Sequence, residues 1–116
     1  ILRINMTIFN RKTSAYVSDF QAAQNPCNLY GFTVYNSGGT QIFLQLFDEA
    51  TTPANGATPD VFYTVAANSE KLFYFGEKGM PLYNGLYFCN SSTDITKTLG
   101  AGVCWFHVQV SPMENN

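Results

Sequence analysis

Apolar and polar positions alternate along most of this chain in short runs, each closed by a cluster of Gly, Pro, Asn or Ser. Period two with one apolar face predicts half-buried strands rather than helices. The first run, Ile1–Phe9, sets Leu2, Ile4, Met6 and Ile8 against Ile1, Arg3, Asn5, Thr7 and Phe9. Asn10–Ser14 follows as a polar turn and Ala15–Phe20 as a short strand. Gln21–Asn28 reads as a connection, and its Ala and Gln allow a helical turn at Asp19–Gln24 that Pro26 would stop.

Two strands come next, Leu29–Tyr35 and Gln41–Phe47. Between them Asn36-Ser37-Gly38-Gly39 predicts a hairpin turn in which glycine supplies positive φ. Asp48 ends the second strand. Thr51–Pro59 carries two prolines and a glycine, which excludes helix or central strand. A second hairpin is expected from Asp60–Ala66 and Glu70–Phe75 through Ala67-Asn68-Ser69. Gly76–Pro81 reads as a loop, Tyr83–Asn90 as a strand and Asn90–Gly102 as a second polar loop.

The last run, Val103–Val110, alternates strictly. Cys104, Phe106, Val108 and Val110 are assigned to the core, with Trp105, His107 and Gln109 on the opposite face. About eight short antiparallel strands in an all-β chain predict a single β-sandwich of jelly-roll type. The expected division is an N-terminal strand or arm over 1–28, a sandwich over 29–112 and a polar tail over 113–116.

Composition sharpens this picture. The 116 residues are 46% hydrophobic and 16% aromatic, enough for a core rich in β-formers. Only 12% are charged, so neutral polar and aromatic side chains must cover much of the surface. That pattern suits a subunit packed against neighbours. A net charge of −2 without a basic stripe argues against nucleic-acid binding, and no apolar run reaches spanning length.

Catalytic chemistry has little to work with. His107 is the sole histidine and lies beside Trp105 in a strand, where it cannot readily meet the neighbouring Cys104. Asp48-Glu49 is an adjacent pair at a strand end. Glu70, Glu77 and Asp94 sit by Lys71, Lys78 and Lys97 as solvated turn charges. Cys27, Cys89 and Cys104 are an odd number, read as buried free thiols, with a Cys89–Cys104 bridge as the alternative. Metal-ligand spacing is lacking. Asn5-Met6-Thr7 and Asn90-Ser91-Ser92 match the glycosylation pattern. Core packing accounts for most of Trp105 and the tyrosines, and those left on the surface suit either sugar stacking or a protein interface.

From Tyr30 to Val110 the order of features resembles a group of small bacteriophage virion proteins. The matching pieces are Tyr35-Asn36-Ser37, Ile42–Asp48 with Ala50, and Thr52–Pro59. Val65-Ala66-Ala67 with Gly76, Asn84-Gly85-Leu86, the Ser91–Thr98 loop and the closing Ala101–Val110 strand follow in order. The likeness covers roughly the last two-thirds of the chain, leaving out Ile1–Asn28, and carries over no catalytic residue.

The resemblance implies a non-enzymatic virion component at the capsid surface, without cofactor or metal. The leading expectation is a capsid decoration (cement) protein. Its expected partners are the major capsid protein and copies of itself, as a homo-oligomer with a trimer favoured, and not nucleic acid or membrane. A head- or tail-fibre module that binds receptor or glycan is the alternative. The expected contact residues are Ile1, Arg3, Asn5, Thr7 and Phe9 at the start, Thr51, Pro53, Asn55 and Pro59 in the loop, and Trp105 and His107 in the last strand.

Overall fold

The computed structural model describes residues 7–113. Nine strands are found among them: β1 (Phe9–Lys12), β2 (Asp19–Ala23), β3 (Cys27–Asn36), β4 (Ile42–Phe47), β5 (Val61–Val65), β6 (Ser69–Tyr74), β7 (Met80–Leu82), β8 (Leu86–Ser91) and β9 (Cys104–Pro112). They form two antiparallel sheets, ordered β1-β9-β3-β6 and β2-β8-β4-β5. Strand β7 also pairs with β3, at Cys27–Leu29, while β6 pairs with Gly31–Asn36. Strands β6 and β7 therefore make one interrupted edge, giving eight strand positions. Consecutive strands pass repeatedly from one sheet to the other, which is the jelly-roll arrangement.

Alternation explains the core. Leu29, Phe32 and Val34 of β3 and Phe106, Val108 and Val110 of β9 point inward from the first sheet. Leu44 and Leu46 of β4 and Leu86 and Phe88 of β8 answer from the second. Phe88 links the layers, with ring centroids 5.0 Å from Phe32 and 5.8 Å from Phe106. Truncating such a ring to alanine typically costs about 3–5 kcal/mol, because burial is lost and a cavity is left.

Both expected hairpins are overturned. Strands β3 and β4 lie in different sheets, as do β5 and β6. A polar turn specifies that the chain reverses, not which strand becomes the hydrogen-bonded neighbour. At the first corner neither Gly38 nor Gly39 has a positive φ, whereas Asn68 at the second does, at 51°. The corners are tied together by Asn36, which is fully buried. Its Nδ2 donates to the carbonyls of Thr40 (2.9 Å) and Ala66 (3.1 Å), and its Oδ1 accepts from the Gly38 amide (2.9 Å). Asn68 N also donates to the Gly38 carbonyl at 3.1 Å.

Local expectations near the start also change. Asn10–Lys12, expected to begin a polar turn, instead joins Phe9 in an edge strand, and its polar, exposed character suits an edge. Asp19–Ala23 is strand β2 rather than a helical turn, because pairing with β8 overrides helix propensity. Before it, Val17 makes only an isolated bridge to Cys104. Met80 and Pro81, expected in a loop, pair with β3 together with Leu82. From Phe9 onward the expected 1–28 arm is part of the two sheets. Ile1–Met6 and Glu114–Asn116 lie outside the described residues.

Candidate functional site

The two sheets differ in what covers their outward faces. On the second sheet, Gln45 and Phe47 of β4 and Tyr87 and Cys89 of β8 alternate outward yet are buried. The Thr51–Pro59 and Asn90–Gly102 loops fold over them, with Ala57 packed against Phe47, Tyr87 and Cys89. Gln45 Nε2 donates to the carbonyls of Thr93, Asp94 and Thr96, each at 2.9 Å. Phe47 thus packs beneath a loop.

Lys97 joins the two loops. It is 3% exposed, not the solvated charge expected from sequence. Its Nζ donates to the Pro53 carbonyl at 2.6 Å and lies 4.8 Å from the centre of the Tyr87 ring. Main-chain bonds of 2.8 Å run from Gly56 N to the Lys97 carbonyl and from Lys97 N to the Ala57 carbonyl. Leu99 N donates to Asn55 Oδ1 at 3.2 Å. Tyr87 donates its hydroxyl to Asp19 Oδ2 at 2.6 Å, and burial together with that bond pushes its phenol up. The Thr51–Pro59 segment is therefore a braced loop that presents Thr51 and Asn55 to solvent and half-buries Pro53 and Pro59.

Among the described residues, no such lid covers the first sheet's outward face. Its rows follow from the register. One row is Trp105, Tyr35 and Glu70; the next is Lys12, His107, Thr33 and Leu72; the third is Asn10, Gln109, Gly31 and Tyr74. Leu72 is 73% exposed and Tyr74 72%. Gly31 keeps the sheet close there, since a Cβ would stand 2.6 Å from the Phe73 carbonyl oxygen. Trp105 Nε1 donates to the Thr13 carbonyl at 2.9 Å, and the His107 ring lies 5.8 Å from the indole. His107 Nε2 is 3.1 Å from Asn10 Oδ1. At one end of this face Ser14, Ala15, Tyr16, Tyr35, Glu70 and Trp105 line a cleft of about 460 Å³.

The residues expected at contacts thus divide between two surfaces. Trp105 and His107 lie on the open face, with Phe9 on the edge strand beside β9. Thr51, Pro53, Asn55 and Pro59 lie over the opposite sheet. Thr7 is exposed ahead of β1, and Ile1, Arg3 and Asn5 are outside the described residues. Sequence reading missed Tyr16, Leu72 and Tyr74. The alternation of Glu70–Phe75 groups Glu70, Leu72 and Tyr74, but both alternating sets contain large apolar residues, so the outward set was not apparent.

Asp48 accepts main-chain N–H bonds from Tyr83 (3.1 Å), Asn84 (2.9 Å) and Gly85 (3.3 Å), which fixes the turn before β8. Its own amide donates to Asp60 Oδ2. All three cysteines are free and buried, and burial pushes their thiols up, to about 11 for Cys27 and about 12 for Cys89 and Cys104. Asn90 of the second sequon is buried and donates to the Ala101 carbonyl at 2.8 Å. Among the described residues no group of three His, Cys, Asp or Glu could hold a metal ion, and no helix is long and apolar enough to cross a membrane.

No family model and no curated protein sequence matches this chain. Among solved structures, the coat protein of Tobacco streak virus is similar, with a TM-score of 0.49 and 11% identity over 100% of this chain and 94% of that one. A likeness at that level adds nothing to the strand order, and the jelly-roll assignment rests on that order.

Proposed function

We propose that this chain is a non-enzymatic bacteriophage virion protein, a capsid decoration protein that binds the outer shell and clamps neighbouring capsid subunits. The observation that carries this reading is the outward face of the β1-β9-β3-β6 sheet, where no loop among the described residues covers Leu72 and Tyr74 and where Trp105 is half-buried. A monomer in water gains nothing from showing such side chains in one row set, whereas aromatic anchors of this kind dominate interface energies. The resemblance of Tyr30–Val110 to small phage virion proteins supports the same reading.

A clamp needs two contact surfaces. The braced loop with Thr51 and Asn55 lies on the other side of the sandwich and supplies the second. Ile1, Arg3, Asn5, Thr7 and Phe9 are proposed to extend the contact from the edge of the open sheet. The added buried interface would stabilise the assembled shell by mass action.

The test is sedimentation of the purified protein with capsids assembled without it. The proposal expects stoichiometric co-sedimentation and a higher capsid disruption temperature. A folded protein that stays in the supernatant would reject it and favour the fibre-module reading.

A further inference from the structure

We infer that the cleft between Tyr16, Tyr35, Trp105 and Glu70 receives an arginine side chain of a neighbouring protein chain. This inference rests on the capsid-contact reading and names the chemistry of one contact. Three aromatic rings and one carboxylate line the cleft. Tyr16 and Tyr35 hold their ring centroids 6.3 Å apart at a 40° tilt, a packed aromatic pair that forms one wall of the cleft. Ring faces carry negative potential, and the Glu70 carboxylate adds a full charge beside them. Glu70 has no ion-pair partner among the described residues.

The donors point to the same occupant. The indole N–H of Trp105, which an anion or a sugar hydroxyl would engage, is already given to the Thr13 carbonyl at 2.9 Å. What the indole leaves for a ligand is ring surface. A guanidinium stacks on such rings and forks its N–H groups to a carboxylate. It also brings the positive charge that the cleft lacks. Lys12, the cation in the neighbouring row, stands opposite His107 rather than opposite Trp105.

The sequence holds a single tryptophan, so indole fluorescence reports on the cleft directly. The probe is N-acetyl-arginine amide, titrated to about 100 mM into the isolated protein, with methyl glucoside as the neutral sugar control. Expected is a saturable response to the arginine probe only, weakened roughly threefold or more in Glu70→Gln and in Tyr16→Ala. The Trp105 indole N–H resonance should shift with the same midpoint. No saturation, an equal response to the glucoside, or an unchanged midpoint in Glu70→Gln would each overturn the inference. Arginine binding by a protein that ignores capsids would support the cleft assignment and count against the cement reading. Capsid binding with an unresponsive cleft would overturn the cleft assignment alone.

Discussion

Lys97 reaches from the Asn90–Gly102 loop to the Pro53 carbonyl of the Thr51–Pro59 loop, with an Nζ–O distance of 2.6 Å. One buried ammonium thus braces two long segments that carry little regular structure. Its head meets a carbonyl and lies over the Tyr87 ring on the outward face of β8. Replacing Lys97 with alanine should cost about 2–4 kcal/mol, since packing and a charge-assisted bond are both lost. Lys97→Met should cost less, because it keeps the stem. Urea denaturation checks the order, and amide exchange at Gly56 and Lys97 should quicken in both variants before global unfolding.

Asn36 does a comparable job at the other end of the sandwich. Its amide bridges the two corners where the chain changes sheets. Asn36→Ala removes a buried amide side chain and its bonds to two carbonyls and one N–H of partly exposed corners, which should cost about 1–3 kcal/mol. Asn36→Asp should not rescue it, because a carboxylate cannot donate to the Thr40 and Ala66 carbonyls. Thermal unfolding of the two variants beside the wild type is the check.

The buried thiols give stability a definite dependence on pH. In the unfolded chain they lose protons around the ordinary value of 9.0, but in the folded protein only at about 11 to 12. Above pH 9 the unfolded state therefore binds fewer protons than the native one, and stability falls as pH rises. Burial also raises the Tyr87 phenol, which acts in the same direction. The urea midpoint should be flat with respect to these groups below about pH 8 and should drop between 9 and about 12. A triple cysteine-to-alanine or valine variant that still folds should show a smaller drop. Thiol labelling of the native protein at pH 8 should be slow at all three positions and complete on unfolding.

Much of the fold was legible because alternation is a local signal. Val103–Val110 announced its inward and outward sets, and β9 places Cys104 and Phe106 inside and Trp105 and His107 outside as expected. Partner choice was not legible. The turns at Asn36–Gly39 and Ala67–Ser69 look like hairpins because Gly, Asn and Ser mark any reversal, while the decision between same-sheet and cross-sheet neighbours is made by distant strands. Burial of Lys97 was equally hidden, since a lysine near Asp94 in a Ser/Thr-rich loop reads as solvated until a proline carbonyl from residue 53 appears above it. On the open face, Trp105 was found through its place in a regular strand. Leu72 and Tyr74 were missed because their strand is apolar on both sides.

Substitutions on the open face should separate binding from folding. Leu72 and Tyr74 project into solvent from an edge strand, so Leu72→Ser with Tyr74→Ser should change stability by less than about 1 kcal/mol. Loss of apolar contact area at an interface centre is far more costly to association. Circular dichroism and a urea titration of the double variant establish the first half of this expectation.

Capsid co-sedimentation of that same double variant, beside the wild type and beside Thr51→Ala, bears most directly on the central claim. The account predicts stoichiometric pelleting of the wild type and loss of pelleting by the folded Leu72→Ser, Tyr74→Ser protein. It predicts at most a modest weakening by Thr51→Ala. Undiminished pelleting of the double variant would contradict the assignment of the open β1-β9-β3-β6 face as the shell-binding surface.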